Sequence, residues 1–474
     1  MNRNLLFIVI ALLVCRALYL ALFPVYDDAF ITYRYAANLV DHGAFTYNLD
    51  DMVLGTTAPL FGLLCALFYW LGFDLPSTIP VFNILIDLAI CLITYRQLSA
   101  RNYLVGFVFA FVYSISPIVG RIAVGGMEAN LFVLVSLLAF LIAQKGYMRS
   151  SVALASLAFF VRPEAVVTVA VILFFDLLKH KNIRISVVNS LCALIVPLLG
   201  MAIIYFFYGV PLPQSIIAKS NLERVAALDI VNELLFADPV SIALFPVAVA
   251  GFVLCFRGNL FLQRIGLWGL LYLSAYVLGG PKVWSWYALP LQFSYIVGAA
   301  FAASAFNTAL AKWSVFGERY AGGVFLILAC MFAAALYGFK GNETITKNIY
   351  SEIDKFCASL DKSRVSILAG DVGVIGYHCR PAKILDTAAL VWPEAAKYKT
   401  DEEILEYHKA DYVLMVATAA NASRFVNSEV GKNYLLIDRY SIDGKSPISV
   451  DRGSFSVESG WVQEYMLFRY VVTQ

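Results

Sequence analysis

Long apolar runs joined by short basic connections fill the first 340 residues of this chain. They cover residues 5–23, 80–95, 103–119, 129–143, 151–160, 165–178, 185–207, 240–256, 265–278, 287–306 and 321–336. At about 1.5 Å of rise per residue, the longer ones cross a hydrocarbon core of about 30 Å as helices. The chain is 61% hydrophobic and 14% charged, where soluble domains carry about 25% charged residues. It therefore reads as an integral membrane protein. A net charge of +2 and the lack of a basic tract leave no case for a nucleic-acid partner. The first apolar run lacks a small-x-small cleavage site and reads as a retained anchor.

The basic residues set the orientation. Arg96 and Arg101, Lys145 and Arg149, Lys179, Lys181 and Arg184, Arg257 and Arg264, and Lys312 and Arg319 all fall in short connections. Such loops are usually cytoplasmic. One further run, 59–71, decides the parity. If it spans, every cluster lies outside when the N-terminus is inside; if it does not, every cluster lies inside. As a helix it measures only about 20 Å, too short for the core, so it reads as re-entrant or interfacial. The runs 151–160 and 165–178 are also short and fit either two spans or a broken hairpin. The expectation is a polytopic α-helical protein of the inner (plasma) membrane with about 11 transmembrane helices and a cytoplasmic N-terminus. The first outer loop, 24–79, would belong to a transmembrane domain at 1–339, followed by an extracytoplasmic α/β domain at 340–474.

On this topology the unusual polar residues gather on the outer side. Asp27 and Asp28 follow directly on the first run. Adjacent carboxylates repel, which calls for a raised pKa or a cationic partner and suits a catalytic base. Acids at a helix start also suit simple capping, and the pair alone does not separate the two. At helical spacing Asp27, Arg34, Asn38 and Asp41 form a polar stripe and Phe30, Tyr33, Ala37 and Val40 another face. This fits a helix on the membrane surface, ended by Gly43, with Arg34 free to hold a carboxylate or phosphate. His42, and Thr57 in the Gly55-Thr-Thr-Ala-Pro59 turn, are candidate substrate ligands.

Arg162 and Glu164 flank Pro163 between apolar runs, where charge is expensive. They either pair with each other or hold an anion. Lys219, in a Pro-rich outer loop, is a second candidate cation. Glu128 fits a helix-start acid or a substrate ligand. Trp284, Trp286 and Tyr287 fit an interfacial aromatic belt or a surface for stacking sugar or isoprenoid. Beyond residue 342, residues 365–371 and 411–416 read as strands and 401–408 as a helix. Gly370-Asp-Val-Gly373 lacks the glycine spacing of a dinucleotide loop. Asp371, Tyr377 and His378 follow the first strand, in a position that fits a structural turn or a cleft-facing group. Cys357 and Cys379 fit a disulfide if this part is extracytoplasmic, or two free thiols.

Several of these pieces resemble the GT-C superfamily of membrane glycosyltransferases, which use polyprenyl-phosphate-linked sugars. The resemblance lies in Asp27-Asp28-Ala-Phe-Ile-Thr-Tyr-Arg34, Gly43, Tyr47-Asn48 and Gly55-Thr-Thr-Ala-Pro59, then Gly126-Met-Glu128, Arg162-Pro-Glu164 and Pro211 to Lys219. The last pieces look like the branch holding the mycobacterial terminal arabinofuranosyltransferases and their bacterial relatives. Two departures, Gln214-Ser215 and Thr56-Thr57, bear on the sugar and acceptor. The resemblance implies a GT-C fold with juxtamembrane helices in the first outer loop. It implies inverting transfer of a sugar, with a pentose such as arabinofuranose a candidate, from a polyprenyl-phosphate donor. The acceptor would be an envelope glycan or lipid-linked glycan outside the membrane. Asp27 would be the base and Asp28 its helper. Arg162, Lys219 and Arg34 would hold the donor phosphate. Glu128, Glu164, Trp286, Tyr287, Thr57 and His42 would line the substrates. Some members of the superfamily use a divalent cation, for which this sequence offers no clear third ligand. The rival reading is a transporter or flippase of lipid-linked glycans, built on the intramembrane charges Arg16, Asp87 and Asp176; a silent assembly scaffold is a third.

Overall fold

The computed structural model describes residues 3–179, 183–220, 224–311, 349–417, 419–440, 448–451, 454–457 and 464–471. The expected span 321–336, the cluster at Lys312 and Arg319, and the domain boundary at 339/340 lie outside them. The chain divides into two compact units. One comprises residues 1–25, 76–203 and 222–340, the other residues 26–75, 204–221 and 341–474.

The protein is a multi-pass helical membrane protein. Among the described residues, four helices are long and apolar enough to cross a bilayer: Leu5–Leu22, Leu75–Ser99, Val187–Tyr208 and Leu260–Gly279. Two bent pairs raise the number to six if each is one span. The first bend, 61° between Tyr103–Ile115 and Pro117–Val124, breaks the run read as one segment at 103–119. Proline lacks an amide donor and drives the preceding residue out of the helical region; Ser116 is extended, with ψ 121°. The second, 102° between Ala227–Leu235 and Pro239–Cys255, starts a new helix at Asp238, whose side chain accepts the Ser241 N–H at 2.8 Å. Helices Pro239–Cys255 and Leu289–Ala311 approach so closely that a Cβ on Gly251 would lie 2.0 Å from the Gly298 carbonyl oxygen, which only glycine tolerates.

Arg16 and Asp87 form a buried ion pair inside the first unit. Arg16 donates from Nε to Asp87 at 2.8 Å and from its two Nη atoms to the Ser114 and Tyr113 carbonyls. Tyr113 and Asn130 also donate to Asp87. Asn189 donates to Asp176 at 2.9 Å.

The second unit begins with helix α1 (Asp27–His42), packed against α2 (Pro59–Trp70). At 12 residues α2 is too short to span. Gly43 ends α1 with φ 71°, its amide donating to the Asn38 and Leu39 carbonyls. A short helix α3 (Gln214–Ser220) belongs to the same unit.

Its remainder is a small α/β domain. Strands β1 (Ser366–Ala369), β2 (Lys383–Asp386), β3 (Tyr412–Ala417), β4 (Tyr434–Tyr440) and β7 (Glu464–Tyr470) form one sheet in the order β2-β1-β3-β7-β4. β1 runs parallel to β2 and β3, while β7 is antiparallel to β3 and β4. Strands β5 (Ile448–Asp451) and β6 (Ser454–Val457) make a separate antiparallel pair. Helices α4 (Gly373–His378), α5 (Asp401–His408) and α6 (Ala419–Asn427) complete it. Leu368, Leu385, Trp392, Leu405, Phe425 and Phe468 form its core. The strands read at 365–371 and 411–416 and the helix at 401–408 are all present. Cys357 and Cys379 are joined as a disulfide, the first of the two alternatives left open by the sequence.

The surface-helix expectation for α1 needs correction. Residues 29–38 are buried on every side, Arg34 and Asn38 included. Within the polar stripe, Arg34 and Asn38 are covered by backbone carbonyls of the 46–48 loop and the α/β domain, which accept their donors, while Asp41 stays exposed.

Candidate active site

The acid pair opens α1, yet Asp27 does not cap its own helix. The cap position is Tyr26, extended and without a side-chain cap bond. Asp27 instead accepts the N–H groups of Gly373 and Val374, at 2.9 Å on Oδ2 and 2.8 Å on Oδ1. These amides open α4, just past the end of β1. Gly373 is what permits the approach: a Cβ there would lie 1.8 Å from the Asp27 carbonyl oxygen. Burial, with the charge of Asp371, pushes Asp27 up to about 7 against the two amides that oppose the rise; Asp28 adds to it. Burial also raises Asp28, with the Lys219 ammonium acting against it. The unit thus assembles Asp27, Asp28 and Lys219 from segments almost 200 residues apart. It adds Asp371, which accepts the Tyr465 hydroxyl of β7 at 2.5 Å.

Arg34 is placed differently from the expectation. It is fully buried, donating from Nε to the Tyr47 carbonyl at 2.6 Å, from Nη1 to that of Gly376 at 2.7 Å and from Nη2 to that of Ala382 at 2.7 Å. Its guanidinium lies 4.3 Å from the centre of the Tyr47 ring. These contacts spend it on tying α1 to the α/β domain, and it offers nothing to a phosphate. Asn48 adds two strand-like bonds with Ile384. The buried carboxylate of Asp386 gathers the amides of Ala388, Leu390 and Val391. Burial pushes it up to about 6 against those amides.

The first unit holds a second polar cluster. Arg162 donates to Glu128 Oε1 at 3.1 Å and to both oxygens of Glu164, at 2.9 and 3.4 Å. Its guanidinium lies 4.7 Å from the centre of the Tyr287 ring, and the Tyr276 hydroxyl donates to Glu164. The alternative in which Arg162 and Glu164 pair with each other is the one the geometry takes. Two carboxylates around one guanidinium leave no positive charge for a phosphate. Glu128 occupies the start of helix Ala129–Gln144 but makes no cap bond, so its charge goes to Arg162. Trp284, Trp286 and Tyr287 cluster with ring centres 5.7, 6.1 and 6.2 Å apart.

His42 is exposed at the far end of α1, fifteen positions along from Asp27. Thr57 is half-buried; its neighbour Thr56 takes the structural bonds, to Thr32 and the Ala58 N–H. Among the described residues no group of three or more His, Cys, Asp or Glu side chains is placed to hold a metal ion together. The sequence reading left Asp371 undecided and missed Gly373 and Tyr465. Their only signal was the glycine-flanked acid after a buried strand.

No family model matches the chain, and no curated protein matches it by sequence. Among solved structures, ArnT from Cupriavidus metallidurans bound to undecaprenyl phosphate matches with a TM-score of 0.60 at 9% identity, over 98% of this chain and 97% of that one. The chain has the fold of ArnT. The match runs through both units, so the ArnT fold accounts for the helical part and the α/β domain together. The mycobacterial arabinofuranosyltransferase AftD gives a TM-score of 0.46 at 14% identity, over 98% of this chain but only 40% of its own.

Proposed function

We propose that this protein is an inverting glycosyltransferase that takes a sugar from a polyprenyl-phosphate donor. The observation that carries the reading is the Asp27-Asp28 pair at the head of α1, with Asp27 held by backbone amides and Lys219 beside Asp28. Asp27 is the base. Its carboxylate removes the proton of an acceptor hydroxyl, and that oxygen attacks the anomeric carbon. The bond to phosphate breaks with inversion, and Lys219 balances the charge on the departing polyprenyl phosphate. Asp28 orients the acceptor. A base with a pKa near 7 suits this work, since it is both available and strong enough near neutral pH. The undecaprenyl phosphate bound to ArnT supports the donor class.

The acceptor is an envelope or lipid-linked glycan, and a pentose such as arabinofuranose is the sugar the sequence resemblance favours. The chemistry belongs on the extracytoplasmic face, with the N-terminus cytoplasmic and about 11 spans. The disulfide supports that side for residues 357–379. The transporter reading loses its main support, because Arg16 is paired with Asp87 and Asp176 accepts from Asn189.

The test is transfer in proteoliposomes from a panel of radiolabelled polyprenyl-phosphate sugars, comparing wild type with Asp27→Asn. Glycan product from wild type alone supports the reading and names the donor. Movement of intact lipid-linked sugar across the bilayer by both proteins, without transfer, overturns it in favour of a transporter.

A further inference from the structure

The reaction above leaves one carboxylate of the cluster without a task. Asp371 stands exposed just past the end of β1, two residues before the glycine whose amide holds Asp27. Gly373 brings this turn against the first residue of α1 closely enough that no side chain fits between them. An exposed acid beside two others would ordinarily be screened by solvent or matched by a cation. Among the described residues no Lys, Arg or His forms a salt bridge with Asp371. Its partner is the neutral Tyr465 hydroxyl, which fixes the carboxylate without cancelling its charge.

We infer that Asp371 is a positioning residue for the proposed transfer: a fixed negative charge, held by Tyr465, that keeps Asp27 a strong proton acceptor. The inference rests on the reading of Asp27 as the base. A neighbouring negative charge disfavours a second one, so the proton binds Asp27 more tightly. The groups that face Asp27 are Asp28 on its own helix, Asp371 and Tyr465 from the sheet side and Tyr47 from the 46–48 loop, with Lys219 facing Asp28. The acids act in one direction; the Gly373 and Val374 amides act in the other. Asp371 is the member of this set that lies on the surface, so its charge can be removed with little cost to folding.

The experiment is the pH dependence of kcat/KM for the full-length protein in proteoliposomes, with the polyprenyl-phosphate sugar turned over in the panel above. Transfer requires the deprotonated base, so the wild-type profile rises through about pH 7. Asp371→Asn is expected to move that rise down by about one pH unit and to lower the plateau several-fold, because a weaker base accepts the proton less readily. Asp371→Glu restores the charge and is expected to return the rise to its wild-type position. An unmoved rise in Asp371→Asn, with or without loss of plateau, overturns the inference and leaves a structural role. If Asp27→Asn is as active as wild type, the base reading itself fails, whatever Asp371 does.

Discussion

Two charged clusters in this protein are organised on opposite principles. Asp27 is oriented by backbone amides, which fix a carboxylate without supplying a full opposing charge. Arg162 is oriented by Glu128 and Glu164, which neutralise it as they hold it. In the first, burial and the charges of Asp371 and Asp28 push Asp27 up to about 7, while the Lys219 ammonium acts on Asp28. In the second, a guanidinium sits between two acids with tyrosines packed around it. Amide-held charge stays available for chemistry, whereas ion-paired charge is consumed in holding the structure together.

This contrast predicts a different kind of damage in each cluster. The largest expected effect is on catalysis: Asp27→Asn should lower the transfer rate by about 10²- to 10⁴-fold while the purified protein keeps its thermal unfolding transition within a few degrees. A matching loss of stability would mean that the amide clamp, not the proton, was lost. Arg162→Met should do the reverse. It strands two buried acids and should cost about 3–5 kcal/mol of stability, seen as a lower unfolding temperature in detergent. Adding Glu128→Gln and Glu164→Gln should recover much of that loss; no recovery would break the picture of a mutually spent cluster.

Gly373→Ala comes next. Its methyl must displace the α1 backbone at Asp27, for about 1–3 kcal/mol of destabilisation and a fall in transfer rate that tracks it. The smallest effect is expected for His42→Ala, whose side chain is exposed and outside both clusters. It should change stability by less than about 0.5 kcal/mol and transfer by less than twofold; a larger loss would return His42 to the site.

The sequence carried the membrane character, the acid pair, the helix that follows it and the strands at 366–369 and 412–417, because each is a local pattern of polarity. It did not carry what pairs with what. Arg34 looked available for a phosphate on helical spacing, since nothing local shows that carbonyls of Tyr47, Gly376 and Ala382 converge on it. Arg162 and Glu164 are close enough in sequence for their pairing to be one of two stated readings, whereas Glu128, 34 positions away, reads as a helix-start acid or a substrate ligand and not as a partner of Arg162. The bend at Ser116 was foreseeable from Pro117 but was hidden inside a continuous apolar run. Gly373 and Tyr465 matter only through contacts with residues hundreds of positions away or on another strand, which periodicity cannot express.

The amide clamp also has a consequence for biosynthesis. Asp27 receives its partners from residues made 346 and 347 positions later. At cellular elongation rates of about 5–20 residues per second, that interval is roughly 20–70 s. Throughout it Asp27 stands without the amides that hold it. A chain cut short before residue 373 would keep the Asp27-Asp28 motif and most of its helices while lacking the part that aims the carboxylate. On the proposed function, completion of the polypeptide is then the licence for activity, and prematurely terminated products are expected to accumulate as inert membrane proteins.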